Sequence, residues 1–211
     1  MNSGIQHMMR ALLAAALLLL VPILATQSAY ADTQAEAFVS DNIQKGLGIL
    51  HDPQLTAAQR SDQFEQLLLR ITDMKRIALF TLGQYRQTAT PAGQDAFVSA
   101  FENYSVAVYR SYLGNYAGQT LKITGSSQRS PTDFVVATQM VDPSDHSGGK
   151  GLEVDFRVLT DTGKPEVTDL GIGGIWLALA QRDQFNAFLA QHHGDIADLA
   201  AHLRDVANGY R

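Results

Sequence analysis

Residues 90–124 read TPAGQDAFVSAFENYSVAVYRSYLGNYAGQTLKIT, and inside this stretch the apolar period changes from that of a helix to that of a strand. Thr90 and Pro91 open the helical part, with proline where a missing backbone N–H costs nothing. Phe97, Phe101, Tyr104, Val108 and Tyr112 then recur at steps of three and four, one continuous apolar stripe. A second row, Val98, Ser105, Tyr109 and Leu113, widens it, and Gly114 and Gly118 are expected to close the helix.

Beyond Gln119 the pattern is β-rich. Leu121–Thr124, Phe134–Val141, Leu152–Thr160 and Glu166–Ile172 are short runs bounded by Gly, Pro, Ser and Asp. Leu152, Val154, Phe156 and Val158 alternate with Glu153, Asp155 and Arg157, the pattern of an antiparallel strand with one wet face. Phe134, Val136 and Met140 form a similar row broken by Thr138, and Asp161-Thr162-Gly163-Lys164 marks a tight hairpin. Upstream, helical spacing covers Thr33 to Leu50, a segment capped by Thr56, and a short one capped by Asp73 that leaves at Gly83. Downstream it returns at Trp176, stops at Gly194 and resumes from Asp195 to Val206. Helices, then strands, then helices predict an α+β fold: a helical part (33–117 and 176–207) on a four-stranded antiparallel sheet (119–172).

The N-terminus reads as an export signal. Arg10 precedes an uncharged apolar run from Ala11 to Leu24, and Ala29-Tyr30-Ala31 supplies an A-x-A cleavage pattern. The run has about 14 residues, short of the roughly 20 needed to span a bilayer. The expected product is a single domain, 32–211, released into the periplasm by cleavage after Ala31. The whole chain has a net charge of −5, and removing the signal takes away only one basic side chain, so the domain is more acidic still. This argues against nucleic acid or a polyanionic surface as the main partner. With no cysteine, stability rests on packing, and a lipoprotein-type tether is excluded.

No side-chain pattern nominates a catalyst. His192, His193, Asp195, Asp198 and His202 form a metal-capable cluster, but Gly194 interrupts it, and a solvated surface is the better reading. Gly171-Ile172-Gly173-Gly174 lacks the third glycine and the βαβ setting of a dinucleotide loop. Asp142, Asp145 and His146 share a Pro/Ser/Gly loop where solvent leaves them ordinary. A hydrolase or isomerase pairing a carboxylate with His146 or His193 remains an alternative, as does an adaptor with a solid core. None of these readings needs a metal or cofactor.

Several stretches in order resemble the MlaC and toluene-tolerance family of periplasmic lipid-binding proteins. They are Phe38-Val39, Ile77-Ala78 through Leu82-Gly83-Gln84-Tyr85-Arg86, Thr90-Pro91 with Phe97 and Phe101, and Tyr109 with Tyr112 to Tyr116. Val167-Thr168-Asp169-Leu170 and Gln181-Arg182-Asp183-Gln184-Phe185 followed by Gly194 complete the series. The chain departs from the family at Pro165, where a tryptophan is usual, and at Gly174-Ile175-Trp176-Leu177, which is similar to a hopanoid-biosynthesis-associated branch. The resemblance implies a non-enzymatic carrier that takes a phospholipid or hopanoid-like lipid into an apolar cavity. It would shuttle that lipid between membrane-bound components of an ABC-type transport system, touching membranes only transiently. The lining expected on this basis is Phe97, Phe101, Tyr104, Val108, Phe134, Val136, Met140, Val154, Phe156, Val158 and Trp176.

Overall fold

The structure is a computed structural model that describes residues 24–113, 116–146 and 151–210, with side chains from residue 34 onward. The expected signal lies outside the described residues up to residue 23, and so does Gly114. Helix α1 (Leu24–His51) runs through the expected cleavage point, beginning earlier than the pattern from Thr33 indicates. Helix α2 (Ala57–Ile71) starts at a reciprocal capping box: the Thr56 hydroxyl accepts from the Gln59 N–H, and the Gln59 side chain accepts from the Thr56 N–H. Asp73 caps α3 (Met74–Thr81) through the Arg76 N–H. A 3₁₀ turn (Gly83–Gln87) leads to α4 (Pro91–Leu113), the helix read from the aromatic stripe.

The sheet is an antiparallel meander in chain order: β1 (Thr120–Ser130), β2 (Asp133–Val141), β3 (Glu153–Leu159), β4 (Glu166–Ile172) and β5 (Ile175–Trp176). Two features correct the sequence reading. First, β1 extends well beyond Thr124, because irregular register around Gly125 lets its polar half keep pairing with β2. Second, among the described residues the sheet has five strands rather than four. Gly173 and Gly174, at φ 56° and 83°, form a two-residue turn that folds Ile175–Trp176 back onto Ile172–Gly171. Trp176 therefore belongs to a hairpin, and α5 (Leu177–Gln191) starts one residue later. Helix α6 (Ile196–Gly209) is capped by Asp195, which accepts from the Ala197 and Asp198 N–H groups.

Two cores hold these layers. In one, α3, α4, α5 and α6 bury Leu82, Phe97, Phe101, Leu189, Leu199 and Leu203. Phe185 stands edge-on to both Phe97 and Phe101, with ring centroids 6.1 and 6.3 Å away. In the other, Ala35 and Val39 of α1 cover the sheet residues Phe134, Val136 and Val158. Phe134 lies opposite Val158 and Val136 opposite Phe156, so a single register places this row on one face. The helical layer is tied to the sheet where α2 turns into α3: the Asp73 N–H donates to the Val167 carbonyl at 3.2 Å, and Arg76 bridges to Asp161 in the β3–β4 turn at 2.9 Å.

Candidate functional site

Beside that tie, the two layers leave a gap. Leu68 and Ile71 of α2, Met74 and Ile77 of α3, Phe101 and Tyr109 of α4, Phe156 of β3, Leu170 of β4 and Leu177 of α5 bound a mainly apolar cavity of about 80 Å³. A pocket for a drug-sized ligand has roughly 300–1,000 Å³. The space is therefore a narrow slit, and two acyl chains enter it only if its walls part.

Helix α4 faces the slit with Phe101, Ser105 and Tyr109, spaced four residues apart on one side. The sheet reaches it through an irregularity. The β3–β4 register shifts between Arg157 and Val158, leaving Thr168 without a partner, so Val167, Thr168 and Asp169 are all buried in succession. A bulge of this kind breaks the in–out alternation and re-aims the side chains next to it. Asp169 is thereby brought to the slit, where its Oδ1 accepts from the Leu170 N–H at 2.8 Å and the Ala178 N–H at 2.9 Å. The second bond satisfies a donor in the first turn of α5, which Trp176 cannot cap with its side chain.

Burial dominates the electrostatics. It raises the Asp169 carboxyl above the ordinary carboxylate range, although the N–H groups of Ala178 and Leu170 and the charge of Arg157 pull it down. The Tyr109 hydroxyl is pushed up to about 12 by burial, reinforced by the charges of Asp169 and Tyr104. Tyr109 borders both the slit and a smaller pocket between α2 and α4 lined by Ser61, Phe64 and Leu113. Tyr104 is also raised, chiefly by burial, and hydrogen-bonds Gln181. No Lys, Arg or His borders the cavity.

Of the residues expected to line a ligand space, Phe101 and Phe156 border this one. Phe97 is sealed in the helical core, where Tyr104 packs at the edge, and Val108 is half-buried. Phe134, Val136 and Val158 lie under α1, Val154 is buried near them on the same strand face, and Met140 is half-buried opposite Leu121. Trp176 stacks over Gly171, where an added Cβ would meet its ring at 3.4 Å. Ser105, Tyr109, Asp169 and Gln181 were not among the expected lining. Two sequence signals pointed toward them: the second row on α4, and a carboxylate inside the apolar run of β4.

The histidines stand elsewhere. His146 and His193 are exposed and do not border the cavity. His192 stacks on Phe188 at 3.9 Å, with His202 stacked on the same ring at 4.9 Å and Asp195 used as a cap. Among the described residues no three His, Cys, Asp or Glu side chains converge as a metal site. No helix among them is long and apolar enough to cross a membrane.

A family model described as MlaC protein matches residues 40–205, which include every element bounding the cavity. The fold is also similar to the solved structure of a phospholipid-binding protein from Ralstonia solanacearum in complex with a phospholipid. The match has a TM-score of 0.68 at 23% identity and covers 85% of this chain and 98% of that one.

Proposed function

The chain belongs to the MlaC family, and we propose that it is a lipid-binding protein that carries a phospholipid or hopanoid-like lipid through the periplasm. The family match from residue 40 to 205 carries this reading, supported by the phospholipid complex of the Ralstonia solanacearum protein of similar fold. In this account residues 1–31 direct export and are removed after Ala31, and 32–211 form one carrier domain. It exchanges cargo with membrane-bound components of an ABC-type lipid transport system, needs no catalytic group, and meets membranes only in passing.

The energetics suit a shuttle. Burying about 30 methylenes at roughly 0.8 kcal/mol each amounts to about 24 kcal/mol relative to water, but a bilayer already buries them. Transfer between membrane and protein therefore lies near balance, and direction is left to the partners. The narrow slit is then the unloaded state, and loading separates α2, α3 or α4 from β4 to admit the chains between Phe101 and Leu170. Phe97, Tyr104, Val108 and the sheet row at Phe134, Met140 and Val154 take part only if that opening extends into the neighbouring cores.

The small volume of the slit favours a second reading, a protein adaptor that carries no lipid. Native mass spectrometry of the protein purified from its host separates the two. A bound two-chain or polycyclic lipid is expected from the carrier, whereas repeated recovery of empty protein that takes up nothing from vesicles favours the adaptor.

A further inference from the structure

The slit is not uniformly greasy. Among its walls are the polar side chains of Thr72, Ser105, Tyr109, Asp169 and Gln181, with no basic group among them. Tyr109 and Asp169 have hydrogen-bonding capacity left unused. Asp169 accepts both of its hydrogen bonds on Oδ1, which leaves Oδ2 open, and the Tyr109 hydroxyl has no partner among the described residues. Simple hydrocarbon filling this space would strand a donor and an acceptor away from water, which is unfavourable for both. A phosphate would place a second anion beside Asp169, while Arg157, the cation whose charge reaches that carboxyl, lies outside the cavity lining and is already paired with Asp133. An uncharged hydroxyl matches both free groups, because it donates once and accepts twice.

On the carrier reading above, we infer that Tyr109 and Asp169 form a polar subsite that selects lipids bearing a hydroxyl on their apolar body. The hydroxyl accepts from the Tyr109 phenol and donates to Asp169 Oδ2, while any charged headgroup stays outside the slit. The titration of Tyr109 agrees: pushed up to about 12, the phenol stays protonated at physiological pH and serves as a donor. Ser105, one turn before Tyr109 on α4, and Gln181 on α5 border the same space and can hold water while it is unloaded.

The test offers the purified mature protein vesicles containing equal amounts of 1-palmitoyl-2-stearoyl-phosphatidylcholine and its monohydroxystearoyl analogue, with positional isomers supplied in turn. The lipid retained is then counted by native mass spectrometry. One added net hydrogen bond predicts that the best-placed isomer is enriched about threefold to tenfold. In Tyr109→Phe the ratio falls toward one, while the melting temperature stays at or above that of the wild type, because an unpaired hydroxyl has been removed. Asp169→Asn keeps an acceptor for Leu170 and Ala178 and is expected to lower the ratio in the same way, giving a second readout should Tyr109→Phe fold poorly. Equal recovery of every isomer, or a preference unchanged in both variants, overturns the subsite and leaves the carrier reading standing. Recovery of neither lipid overturns the subsite and the phospholipid form of the carrier reading together.

Discussion

The core under α1 and the slit beside β4 are built on the same sheet, yet one is filled and the other is not. Under α1, Phe134, Val136 and Val158 are fully buried against Ala35 and Val39, and the alternation of β2 and β3 is regular there. At the slit the register shifts at Arg157/Val158, polar and apolar groups mix, and about 80 Å³ stays open. Regular strands present one continuous apolar row that a helix can cover. A bulged strand presents a carboxylate and a gap.

Truncation in the filled core gives the largest expected effect. Phe134→Ala removes a fully buried ring that nothing can replace and should cost about 3–5 kcal/mol, read as a lower urea midpoint. A loss under about 1 kcal/mol would mean that this core is already loose. Ile77→Ala, at the wall of an existing void, should cost about 2 kcal/mol or less, because the site is only partly packed to begin with. If it costs as much as Phe134→Ala, the two regions do not differ as described.

The buried carboxylate adds a pH signature. The pKa of Asp169 is raised in the folded protein, so over the interval above its unfolded value the native state binds more protons than the unfolded chain. Stability therefore falls as pH rises from about 4 through the folded titration of Asp169, and Asp169→Asn should remove that decline. Asp155, raised by burial and by Glu153 and holding a buried oxygen without a partner, acts in the same direction. Asp161, lowered by Arg76, acts oppositely, its contribution vanishing as pH drops below the ordinary carboxylate range. Denaturation midpoints measured from pH 4 to 7 in wild type and Asp169→Asn read the difference, and parallel curves would rule out a raised Asp169. The smallest effect belongs to the exposed clamp of Arg110 on Asp62 and Glu65: Asp62→Asn should change stability by about 0.5 kcal/mol or less, as thermal unfolding would show.

The same contrast explains what the sequence made legible. The aromatic steps of α4, the alternation of β3 and the caps at Thr56 and Asp73 each express one local rule, and each element formed where that rule placed it. The fifth strand was hidden because a two-residue strand carries no period, and only Gly173-Gly174 announced its turn. Apolar pattern identifies buried residues without saying what buries them, so Phe134 and Phe156 looked equivalent although the first is sealed in the core under α1 and the second, packed at the edge of that core, also borders the slit. Asp169 was legible as an odd carboxylate in a β-rich run, but its orientation depends on a bulge that needs the neighbouring strand to define it.

The decisive measurement is a structure of the protein loaded with the lipid it acquires in its host. Acyl or ring density is expected between Tyr109 and Phe101 on α4 and Leu170 on β4, with the α1 core unchanged. Density instead between α1 and the sheet, displacing Ala35 and Val39 from Phe134 and Val136, would contradict it.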